Sequence, residues 1–102
     1  MEAKHTPGPW IAEPEEASEH RGIAICAADA ILATILPEDD READAEDWAN
    51  ARLIAAAPDL LAALEAVWGG RYNAGENGCM VHLTLKMCET IPAIIAKARG
   101  EA

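Results

Sequence analysis

Phenylalanine is absent from this 102-residue chain, and three tryptophans with one tyrosine are its only aromatic side chains. The apolar fraction is 51%, but much of it is alanine, which fills volume poorly. Burial must therefore come from Trp10, Trp48, Trp68 and the leucines and isoleucines, since a large aromatic hides about 150–250 Å². A chain this short buries roughly two-thirds of its unfolded surface. One small domain over residues 1–102 is expected, with 1–8 loosely ordered. Oligomerisation, as a homo-oligomer, is a natural way for so lean a core to gain area.

Basic residues are scarce: eight Lys and Arg against eighteen Asp and Glu give a net charge of −10. A protein that neutralises phosphates needs the opposite sign, so direct nucleic-acid binding is not expected. No apolar run approaches the ~18–20 residues of a helical membrane span. Three cysteines, and opening residues without the charged-then-apolar order of an export signal, predict a reducing, cytoplasmic location. Catalytic motifs are missing as well. There is no Gly-rich phosphate loop, nucleophile elbow or HExxH helix, and His5, His20 and His82 lie far apart in sequence. A binding protein without cofactor is the expectation, and a small nucleotide-cleaving enzyme built on His20 or His82 is the catalytic alternative.

What is present reads as an α+β fold. Thr6-Pro7-Gly8-Pro9-Trp10 is a turn or extended lead-in, and Trp10-Ile11-Ala12 starts a short edge strand. Glu13 to Arg21 is a polar, solvated loop. Ile23–Cys26 and Ile31–Ile35 flank a turn around Asp29, the pattern of a hairpin that lacks the usual glycine. Seven of the ten residues from Glu38 to Asp47 are acidic, which suits the positive end of a helix dipole, with Asp39 or Asp40 as N-cap. That helix runs to about Ala56. A second spans Pro58 to Trp68, with Leu60, Leu61, Leu64 and Trp68 as its apolar stripe. Arg71 to Gly78 reads as a turn-rich connector. Residues 80–98 fit both a strand alternation and a helical stripe; length favours helix, and Pro92 predicts a break near Thr90. The expected architecture is a two- or three-stranded antiparallel meander packed on two or three helices. Its core is expected to draw on Ile23, Ile25, Ile31, Ile35, Trp48, Leu53, Leu60, Leu64 and Ile94.

Three blocks carry a resemblance. His5-Thr6-Pro7-Gly8-Pro9-Trp10, the run from Asn50 to Leu61 (NARLIAAAPDLL) and the ending Ala96-Lys97-Ala98-Arg99-Gly100-Glu101 resemble a large family of small proteins of tailed bacteriophages and prophages. Such proteins begin HTPGPW, carry a short β meander, continue NARLIAAAPELL and end on a helix near AKAxGE. The resemblance implies a phage accessory protein and brings no catalytic residues with it. Accessory proteins of this size often counter host defence, by blocking a defence protein or by sequestering its nucleotide signal. The other reading is an acidic regulatory or structural phage protein unrelated to defence.

Each candidate constellation has a bland counterpart. Cys79-x-x-His82 with Cys88 and Cys26 lacks the paired spacing of a zinc site, and cysteine is commonly buried without metal. No metal site is expected. Trp10 and Tyr72 can stack a planar ligand, and Arg52, Arg21 and Arg71 can meet its charge, with Asn50 beside Arg52. The bland reading makes the tryptophans packing anchors and pairs Arg52 with Glu46 or Asp47. Glu38, Asp39, Asp40, Glu42, Asp44, Glu46 and Asp47 form either a docking patch for a basic partner or a solvated helix start.

Overall fold

The computed structural model describes residues 4–15, 22–38, 41–73 and 75–100. Short apolar runs give three antiparallel strands: β1 (Ile11–Pro14), β2 (Ile23–Ala27) and β3 (Ala30–Ile35), in the order β1-β2-β3. The β2–β3 turn is only Ala28-Asp29, and Ala28 takes φ +51° where glycine is the usual solution. Register runs Ile23↔Ile35, Ile25↔Ala33 and then Cys26↔Ile31, so Leu32 is an extra residue in β3. That bulge flips the strand faces. It explains a departure from expectation: Ile31 is 60% exposed, not in the core.

The first helix, α1 (Ala45–Ala55), starts four or five residues later than expected. Asp44, not Asp39 or Asp40, is its N-cap: the Asp44 carboxylate accepts from the Asp47 N–H at 2.9 Å, and the Asp47 carboxylate accepts from the Asp44 N–H at 3.0 Å. This reciprocal box satisfies two backbone donors at once. Asp39, Asp40, Arg21 and His20 lie outside the described residues. Ala51 and Ala55, four apart, bring α1 close to the sheet, where Ile23 and Ile25 are wholly buried. Trp10, Ala12, Ile35, Ala43 and Trp48 close around this cluster.

Ala56 ends α1 and begins α2 (Ala57–Gly69), with Pro58 in its first turn. Arg71 to Gly78 is not a plain connector. A two-stranded hairpin forms there, β4 (Arg71–Asn73) with β5 (Cys79–Val81), pairing Tyr72 with Met80. The chain ends in α3 (Leu85–Arg99), capped by the Thr84 hydroxyl and by Gly100 at φ +76°. Pro92 does not break it. Only the bond to the Cys88 carbonyl is lost, and α3 is held beside α2 on both sides of the proline: Met87, Ile91 and Ile94 line a cavity shared with α2, and Lys97 Nζ pairs with Asp59 Oδ2 at 2.6 Å.

The expected core is corrected in its helical part. Leu53 and Leu64 are 53% and 67% exposed, and α2 and α3 contain no buried residue. Helix period fixes which residues share a face, but only packing decides which face turns inward. The molecule is accordingly long, 57 × 28 × 24 Å, with a radius of gyration of 17.2 Å. A compact domain of this length has about 13 Å. Among the described residues, no helix is long and apolar enough to cross a membrane.

Candidate functional site

One small cleft gathers residues from both ends and the middle of the chain. Pro9, Trp10, Ile11 and Ala12 form one wall, and Arg52, Ala55 and Lys97 form the other, around about 180 Å³. Trp10 is fixed locally: its indole N–H donates to the Thr6 carbonyl at 3.0 Å, and the His5 ring meets it edge-on at 6.1 Å. Gly8 lets this segment reach the start of α2, because a Cβ there would lie 3.3 Å from Pro58 Cγ. Arg52 leans its guanidinium over Trp48, 5.6 Å from the ring centroid, and lays its stem on Gly100. A Cβ at Gly100 would come within 2.7 Å of Arg52 Cδ, so close approach and positive φ both call for glycine. Trp10, Arg52 and Lys97 therefore bring the three sequence blocks, HTPGPW, NARLIAAAP and AKARG, to one place.

The cleft sets an aromatic face beside two cations in a strongly acidic chain. Lys97 is partly neutralised by Asp59, and among the described residues Arg52 pairs with no carboxylate. Such a combination suits a planar or anionic group. Typical small-molecule pockets run about 300–1,000 Å³, so this cleft holds a portion of a ligand, such as a phosphate or one ring. Lys97 was not among the candidates read from the sequence. Its membership of the same terminal block as Gly100 was the available signal.

The other candidates lie elsewhere. Asn50 is exposed on α1, about 200° around the helix from Arg52, and does not line the cleft. Arg71 and Tyr72 border a separate concavity of about 480 Å³ with Trp68, Gly69, Asn73 and Cys79. There the Arg71 guanidinium stacks 3.8 Å from the Trp68 centroid and donates to the Trp68 carbonyl at 2.7 Å, so this cation is held by its own chain. The Tyr72 hydroxyl reaches Met80 Sδ at 3.7 Å.

The acidic run is partly consumed in starting α1. Arg41 Nη1 lies 2.7 Å from Asp47 Oδ2 and 3.2 Å from Asp44 Oδ2. The Arg41 hydrogen bond, with that of the Asp44 backbone N–H, holds the Asp47 carboxyl below the usual carboxylate range. Glu38, Glu42 and Glu46 are exposed. Burial, and then the Glu13 and Glu15 carboxylates, push the Cys26 thiol up. Among the described residues, no group of three or more His, Cys, Asp or Glu is placed to hold a metal ion. Cys79 and Cys88 are exposed.

No curated protein and no solved structure matches the chain. A family model described as Salmonella phage P22 protein Y8K6 does match, over residues 1–102. With the match spanning the chain from end to end, the protein belongs to this phage protein family.

Proposed function

We propose that this phage protein is a non-enzymatic binding protein that antagonises a host antiviral defence by sequestering a nucleotide-derived signal. The cleft of Trp10, Arg52 and Lys97 is the ligand site. The observation that carries this reading is the convergence there of an aromatic face and two cations within a chain of net charge −10. Trp10 stacks a base or ribose edge, Arg52 meets a phosphate through its fork of N–H donors, and Lys97 adds a point charge. Binding alone suffices for such a role, since a signal held tightly is removed from its receptor.

The test is thermal unfolding with cyclic dinucleotides and ADP-ribose derivatives, followed by chromatography of the recovered ligand. A ligand at a hundred times its Kd stabilises by about 2.7 kcal/mol, a rise of roughly 10–20 °C for a domain of this size. Arg52→Ala should abolish the shift, and the ligand should return intact. Absence of a shift with every nucleotide removes the signal-sequestering reading. Turnover that disappears in His20→Ala or His82→Ala replaces it with the enzyme.

A second reading, occlusion of a defence protein with a basic surface, is favoured by the exposed side chains of Glu38, before α1, and Glu46, in its first turn. Its partner complex weakens steeply with salt. A salt-insensitive complex is incompatible with it.

A further inference from the structure

We propose that the face of α2 turned away from α3, carrying Leu61, Leu64 and Trp68, is the contact surface of a homodimer, occupied by a second copy of this chain. The side of α2 that borders α3 is made of Asp59, Ala62, Ala63 and Ala66. At 100° per residue, Leu61, Leu64 and Trp68 cluster about 170° from the middle of that side. They are 42%, 67% and 61% exposed. The helix thus borders α3 with alanines and turns Leu61, Leu64 and Trp68 to solvent, with Leu60 and Val67 half-buried along its side. At its end, Tyr72 and Met80 of the β4–β5 hairpin are 50% and 54% exposed and continue the apolar surface.

Area and charge point to a second copy. The chain exposes 7810 Å², whereas a compact monomer of 10.8 kDa exposes about 5,500 Å². The excess, roughly 2,300 Å², is more than the ~800 Å² each partner covers in a standard interface. Two chains of charge −10 repel, so self-contact requires a neutral surface. Between Leu60 and Tyr72 the charged side chains are Glu65 and Arg71, which balance, with Arg71 stacked on the Trp68 ring, while the acidic run lies on another element, before and within the first turn of α1. A two-fold contact lays the same patch on itself, and a mainly apolar stripe whose one acid and one base balance does this with little like-charge opposition.

Sedimentation equilibrium and light scattering across micromolar concentrations test the proposal on the full chain. The wild type is expected at twice the 10.8 kDa of one chain. Leu64→Lys is expected to return the single-chain mass with an unchanged circular dichroism spectrum, raising the apparent Kd at least about a hundredfold. Should that variant unfold, the contact is read by crosslinking instead. A short bismaleimide then joins Leu64→Cys chains, in a Cys79→Ser, Cys88→Ser background, into covalent dimers. A wild type that stays monomeric overturns the proposal, including the case in which a different protein covers the face. A folded Leu64→Lys that still dimerises, or Leu64→Cys chains that do not crosslink, overturns it equally.

Discussion

Ile23 and Ile25 lie wholly buried between the β1–β3 sheet and α1, yet no described residue of α2, the β4–β5 hairpin or α3 is buried. The second region is not poorer in large apolar side chains. Leu61, Leu64, Trp68, Tyr72, Met80, Leu83 and Leu85 all belong to it, each at least 42% exposed. The two regions differ in what covers the side chains. In the first, a central strand is sandwiched by neighbours on both edges and by a helix whose alanines permit close approach. In the second, the hairpin is two-stranded and, among the described residues, no helix packs broadly on it, and an isolated hairpin is marginal in water. Apolar content alone therefore does not define a core, because burial requires a second layer.

The sharpest test of this contrast is a pair of truncations measured in dilute solution. Ile25→Ala empties a fully enclosed site and should cost about 2–5 kcal/mol, enough to remove much of the stability of so small a domain. Leu64→Ala should change the unfolding midpoint little, because its side chain has scarcely any intramolecular contact to lose. Equal losses from the two would abolish the distinction between the regions. A smaller effect of opposite sign is expected in the β2–β3 turn. Ala28→Gly relieves the left-handed φ and should stabilise by up to about 1 kcal/mol, read from denaturant midpoints.

The smallest effect is electrostatic and belongs to the entry of α1. Because the Asp47 carboxyl is held below its ordinary range when folded, its stabilisation is present at neutral pH. It is lost as pH falls from the usual carboxylate value through the folded one. Wild type should thus exceed Arg41→Ala slightly in melting temperature at pH 7, and the two curves should merge in strong acid. A gap that persists there would mean Arg41 acts through packing rather than through Asp47.

Much of the local structure was legible from the chain. The hairpin around Asp29, the helix pair divided near Pro58 and the stop at Gly100 each follow from short-range rules of periodicity, backbone freedom and missing donors. Asp44 was legible too, since an aspartate three residues before Asp47 is the spacing of a reciprocal cap, but the crowd of neighbouring acids hid it. Arg52 and Trp10 were nominated from their residue types, and the fold places them on one cleft. It places Arg71 and Tyr72 on another, and it adds Lys97, whose only sequence signal was its block.

By itself, the sequence determined the α+β class, the acidic balance, the elements' approximate limits and the scarcity of large aromatic anchors. These depend on interactions spanning a few residues, or on composition. Tertiary structure alone decided that Leu32 bulges and sends Ile31 outward, that α2 borders α3 with alanines, and that Pro92 sits within an unbroken helix. It also decided that the two ends of the chain meet at Arg52. Each of these outcomes is a competition between alternative packings of the same local pattern, settled by contacts between residues distant in sequence.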